Sequence, residues 1–139
     1  MTLFTLSQTL CHELADKVMQ HAQQDGLAPV CIAIVDPQGE LNYFGRMDAA
    51  PARTIAIAQA KAYTAARMQN STLAFSQRLH NEQLYTFDFM DKKLCALPGG
   101  VPLSIQQHLI GAVGISGRSL EDDHALALFV SEYVATQFR

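Results

Sequence analysis

From Leu109 to Ser116 the chain reads LIGAVGIS, and neither face of a strand laid through it is polar. One side would carry Leu109, Gly111, Val113 and Ile115, the other Ile110, Ala112, Gly114 and Ser116. A strand that is apolar on both sides must be covered on both sides, so this segment requires a central place in a sheet with a layer above and a layer below. Its glycines admit close contact with a helix. Leu103 to Ile105 precede it as a hairpin partner across Gln106-Gln107-His108. Before them, Pro98 and Pro102 stiffen the backbone around Gly99-Gly100, whose N–H groups carry no side-chain cover. Such a turn suits either a ligand that approaches the main chain or a plain tight connection. No helix start follows Gly99-Gly100, so an anion cradle there would lack the support of a helix dipole.

The remaining segments supply the layers. Thr5 or Ser7 can cap a first helix in which Leu6, Leu10, Leu14, Val18 and Ala22 form one stripe, with Gly26 ending it. Val30 to Val35 reads as a strand covered on both faces. Asp36-Pro37-Gln38-Gly39 turns it into a hairpin that returns over Leu41 to Met47. Pro51 opens a second helix through Met68, whose Ile55, Ala58, Ala62, Ala65 and Ala66 make a small-residue face able to approach the sheet closely. Ser71 or Thr72 caps a short helix through Leu79. Asn81 to Met90 is aromatic and irregular, and Tyr85, Phe87 and Phe89 line a pocket, a subunit contact or the core. Ser119 caps a last helix with Asp122 and Asp123 in its first turn and a stripe of Leu126, Phe129, Val130, Tyr133 and Val134. Helices at both ends enclosing antiparallel hairpins predict an α/β sandwich in one domain, residues 1–139.

Only 17% of the residues are charged, against about 25% in an ordinary domain, which predicts a homo-oligomer. A formal charge of −3 without a run of Lys or Arg removes the footprint of a nucleic-acid or anionic-membrane binder. No apolar run approaches the ~20 residues of a bilayer span, and no basic stretch leads into an apolar one near the start, so a cytoplasmic protein is expected. Three scattered cysteines make no disulfide framework or zinc pattern, and no familiar nucleophile or phosphate-loop motif is present.

Several residues stand out as candidates for chemistry. Arg46 and Asp48 share one face at the end of a strand and can pair with each other or with a ligand. Lys61 lies in an otherwise small and apolar stretch, where it either lifts its head to water or offers a cation to an acidic ligand. His12 and Asp16, like His21 and Asp25, have helical spacing on the polar side of the first helix.

The Val35-to-Gly39 turn, Arg46-Met47-Asp48, Ala60-Lys61-Ala62-Tyr63-Thr64-Ala65-Ala66, Leu97-to-Pro102 and Gly111-to-Gly117 together resemble the GlcG/HbpS family, which includes the C-terminal domain of PduO-type proteins. The resemblance runs over almost the whole chain. It implies a profilin-like α/β/α sandwich around a five-stranded antiparallel sheet, in oligomers. It also implies an accessory role in glycolate, propanediol or glycerol utilisation, with haem or another tetrapyrrole as a candidate ligand. The expected ligand site is Arg46, Asp48, Lys61, Gly99, Gly100, Val101 and Pro102. No histidine is carried over as an iron ligand, and the metal remains unassigned. The alternative is an enzyme of small organic acids or aldehydes using Lys61, Asp48 or His124 for acid–base chemistry.

Overall fold

A computed structural model describes residues 5–138, and the first residues of the start at which no basic stretch leads into an apolar one lie outside the described residues. The elements run α1 (Gln8–Gln24), β1 (Cys31–Val35), β2 (Leu41–Arg46), α2 (Arg53–Met68), α3 (Thr72–Glu82), a 3₁₀ turn (Thr86–Phe89), β3 (Gly100–Ile105), β4 (His108–Ser116) and α4 (Leu120–Gln137). The hydroxyls of Ser7, Ser71 and Ser119 cap α1, α3 and α4 by accepting the N–H of Leu10, Ala74 and Asp122.

The sheet is antiparallel in the order β2-β1-β4-β3. Among the described residues it has four strands, not the five implied by the resemblance. The chain between α2 and β3 closes its backbone bonds locally instead: Leu84 N–H donates to Leu79, Asp88 to Tyr85, Met90 to Phe87 and Leu94 to Asp91. Groups already paired within turns are not free to form another ladder. The β3–β4 connection is shorter than the three residues expected, because His108 pairs with Ile105 and only Gln106 and Gln107 turn, both in the left-handed region at φ 51° and 70°.

As the apolar pattern demands, the central pair β1 and β4 is buried on both sides. Ile32, Ile34, Leu103, Ile105, Val113 and Ile115 pack against the stripes of α1 and α4, including Leu14, Val18, Leu126 and Val130. On the other side Cys31, Ala33, Val35 and Ala112 meet Ala58, Ala62, Ala65 and Ala66 of α2. One face is therefore built of bulky side chains and the other almost entirely of methyl groups. Helix α2 lies so close to β4 that a Cβ at Gly114 would overlap the Ala58 carbonyl oxygen and come within 2.5 Å of Ala62 N. Arg118, just before α4, ties in the end of α1: it donates to both carboxylate oxygens of Asp25, at 2.7 and 2.9 Å, and to the carbonyls of Ala22 and Ala28. This guanidinium holds the Asp25 carboxyl below the usual carboxylate range.

Gly114→Ala tests the contact between α2 and β4. The added methyl would press on the Ala58 and Ala62 backbone and on the Ala62 methyl, and overpacking of this kind costs about 1–3 kcal/mol or more. The expected outcome is a fall of that size in unfolding free energy by denaturant titration, with the slope unchanged; an unaltered midpoint would show that α2 can shift away freely.

Candidate functional site

The residues singled out by sequence gather at one end of the sheet. Arg46 pairs with Cys31, which pairs with Ser116, so Arg46 sits two strands, roughly 10 Å, from the β4 end beside which Gly99 and Gly100 run. Its guanidinium folds back to donate twice to the Ala50 carbonyl, at 3.0 and 2.8 Å, clamping the loop that carries the exposed Asp48. Among the described residues no ion pair joins Arg46 to Asp48.

Lys61 neither reaches water nor faces an opening. It is 1% exposed, and its ammonium lies 3.1 Å from Asp123 Oδ2 while donating to the Ile115 carbonyl at 2.8 Å. Burial pushes the Asp123 carboxyl up, against the pull of Lys61 and of the Arg118 N–H at 2.9 Å. The two glycines are explained by the same lysine. A Cβ on Gly99, at φ +133°, would stand 2.7 Å from Lys61 Nζ, and one on Gly100 would overlap the Lys61 carbonyl. Gly100 is held further by its N–H donating to Thr72 Oγ1 at 2.9 Å. Val101 is buried, and the carbonyl of half-buried Pro102 accepts from Ser131. Lys61, Gly99, Gly100, Val101 and Pro102 are thus brought together as a packed seam, with Arg46 and Asp48 outside it.

An open groove of about 510 Å³ lies on the flank of α2. Ile55, Ala56, Gln59, Ala60 and Tyr63 come from α2, Val35 and Gly39 to Leu41 from the β1–β2 hairpin, and Lys92 to Leu94 from the loop after the 3₁₀ turn. Tyr63 joins these segments. Its hydroxyl donates to Asp91 Oδ2 at 2.6 Å, and its ring occupies the space that a Cβ on Gly39 would need. The hydrogen bond holds Asp91 below the usual carboxylate range and raises Tyr63 above the usual phenol value. Lys93 and Arg67 each stand 5.4 Å from the centre of the Tyr63 ring.

None of the seven sequence-selected residues lines this groove. Two signals pointed to it: adjacent lysines in a chain with ten basic residues in all, and Ile55, Gln59 and Tyr63 recurring every four positions beside the small-residue face of α2. The aromatic segment divides. Phe89 packs edge-on against Phe75, whereas Tyr85 and Phe87 stack on each other in the open and Met90 is 92% exposed.

The histidines lie apart from the groove. His12 meets Tyr43 edge-on at 5.1 Å and His21 stacks on Phe129 at 5.0 Å, both exposed on α1. His80 and His108 are also exposed, and His124 has a buried Nδ1 without a hydrogen-bond partner. Among the described residues no three His, Cys, Asp or Glu side chains converge as a metal site. No helix there is long and apolar enough to cross a membrane.

Comparison with known proteins gives a consistent result. The family described as haem degrading protein HbpS-like matches residues 6–130. Protein GlcG of Escherichia coli K12 is 32% identical over 115 residues, 83% of this chain and 84% of GlcG. The corrinoid adenosyltransferase PduO of Salmonella typhimurium is 33% identical over 118 residues, 84% of this chain but only 35% of PduO. Among solved structures, the PduOC:heme complex superposes with a TM-score of 0.83 at 31% identity, covering 93% of this chain and 94% of that one.

The seam around Lys61 predicts a pH-dependent response to mutation. Lys61→Met leaves the Asp123 carboxyl buried without its cation, a loss of about 3–5 kcal/mol for a group that stays ionised. Asp123 already has a raised folded value, and losing Lys61 raises it further. Stability of the variant is then fullest below the ordinary carboxylate value and falls as pH rises through the folded one. Denaturant midpoints should show a larger deficit at pH 8 than at pH 5, and Lys61→Met/Asp123→Leu should remove that dependence.

Proposed function

The chain belongs to the HbpS-like family, and from that premise we propose that it is an accessory small-ligand-binding protein of a glycolate-, propanediol- or glycerol-type catabolic pathway. The observation that carries this reading is the groove along α2. Its volume, about 510 Å³, falls within the roughly 300–1,000 Å³ of small-molecule sites, and its walls combine apolar side chains with a few polar ones. The accessory role is what the resemblance to the GlcG/HbpS family implies. We take the protein to be cytoplasmic and homo-oligomeric, and the exposed Tyr85, Phe87 and Met90 support self-association. The enzyme alternative rests on Lys61, Asp48 or His124, and His124 lies outside the groove with its Nδ1 buried and without a hydrogen-bond partner. The ammonium of Lys61 is closed off by Asp123 and Ile115, while Asp48 stands exposed on the Arg46 loop, so the two form no acid–base pair.

Haem is a second reading, and the groove does not fit it. None of its lining residues is His, Cys or Met, and the Tyr63 hydroxyl is held by Asp91. The exposed face of α1 supplies the ligand type that the groove lacks: His12 beside Tyr43 and His21 beside Phe129 each offer an imidazole next to an aromatic ring. The likeness to the PduOC:heme complex favours this reading. Bound haem would supply iron-centred redox chemistry. His12 or His21 would hold the iron through an imidazole nitrogen, and the neighbouring ring would steady that imidazole.

Two measurements test these readings. Native mass spectrometry of the freshly purified protein should show a retained small molecule, lost in Ala56→Trp, which fills the groove from an exposed position; the same mass in both proteins would place the ligand elsewhere. Haemin titration should give a shifted Soret band that His12→Ala or His21→Ala abolishes and His80→Ala does not. A band indifferent to all three substitutions, or no band, ends the haem reading.

A further inference from the structure

The charges along the groove are unequal. Lys92 and Lys93 are exposed at its edge, and among the described residues neither has a carboxylate within salt-bridge distance. Lys93 instead lies over the face of Tyr63, which keeps its ammonium beside the cleft. The nearby Asp91 accepts from the Tyr63 hydroxyl and the Lys93 N–H, and its charge is offset by the Arg67 guanidinium, whose Nε stands 3.9 Å from Oδ2. Glu40, from the hairpin, is the one acidic group among the lining residues. Two ammonium groups against one carboxylate leave a single unbalanced positive charge, which one carboxylate neutralises. A ligand with acids at both ends would bring its second charge into a cleft that already holds Glu40.

Size and polarity set the rest of the ligand. Val35, Leu41, Ile55, Ala56, Ala60 and Leu94 give the cleft an apolar surface, which rewards contact with hydrocarbon and gives nothing to a hydroxyl-rich body. A space of about 510 Å³ is far larger than a two- or three-carbon acid fills.

We propose that the groove binds a monocarboxylate with an apolar body of roughly eight to twelve carbons, its carboxylate on Lys92 and Lys93 and its body against α2. This rests on the reading of the groove as the ligand site, and it replaces the short hydroxy acids of the implied pathway with a longer, less polar acid as occupant. The lysines act as surface charges on a mobile stem, so selectivity comes from charge at one end and from length along the cleft.

The test is a titration of the isotopically labelled full-length protein, followed by amide NMR, with sodium octanoate, and in parallel with glycolate, octanedioate, octanol and octylamine. Octanoate should perturb Ala56, Gln59 and Lys93, should bind at least about tenfold more tightly than glycolate or octanedioate, and should lose about tenfold in affinity in Lys92→Met/Lys93→Met. Octanol binding should be unchanged by that double substitution. Octylamine or octanol binding in the groove as tightly as octanoate would overturn the carboxylate assignment while leaving the groove as a ligand site. No perturbation of groove residues by any of the five would overturn both.

Discussion

The approach of α2 to β4 is the constraint on which the rest of the structure depends. With Gly114 against the Ala58 carbonyl and Gly100 against that of Lys61, the helix backbone lies on the sheet almost without intervening side chains. A residue larger than alanine on the contact face would lift the helix, which is why Ala58, Ala62, Ala65 and Ala66 recur there. The contact has a chemical consequence. Lys61 occupies this helix at a point where the sheet, β3 and α4 surround it, and desolvating an ammonium costs several kcal/mol unless it is paired. Asp123 and the Ile115 carbonyl supply the pairing. The ion pair therefore links α2 to the first turn of α4 across the end of the sheet, and Gly99 is a glycine because a Cβ there would meet both the Ile115 carbonyl at 2.6 Å and the Lys61 ammonium at 2.7 Å.

Fixing α2 this closely also fixes what lies on its flank. Tyr63 lies beside the small-residue face, and its ring settles on Gly39 while its hydroxyl reaches Asp91. One side chain thus positions both the hairpin and the loop that wall the groove. The rigid seam and the open groove share one helix, seen from two sides.

The layered architecture was legible in the sequence because each signal was local. LIGAVGIS is apolar on both faces whatever surrounds it, three serines stand before helical stripes, and the alanines of α2 announce a close contact. The candidate site was legible less far. A glycine that admits a ligand and a glycine that admits another backbone look alike in sequence, so Gly99-Gly100 read as a turn open to either. Lys61 had two evident roles, water or ligand. Its actual partner is 62 residues away, in a helical first turn where an aspartate already has a sufficient local reason to be. Tyr85, Phe87 and Phe89 alternate as a strand would, but the 3₁₀ turn sends Phe89 inward and leaves the other two outside. The groove draws on three separated segments, and no single window of sequence contains it.

This division of labour bears on how one fold serves different ligands. The seam is made of backbone contacts and a buried ion pair, where most substitutions are costly. Opposite α2 the groove walls are a turn and a loop, where side chains such as Glu40, Lys92 and Lys93 are exposed and replaceable at little cost to the core. Relatives near 30% identity can therefore keep the arrangement of layers while presenting different chemistry at the cleft and on α1. Likeness to the PduOC:heme complex speaks to the scaffold, and the occupant is read from the charges and surfaces this chain itself presents.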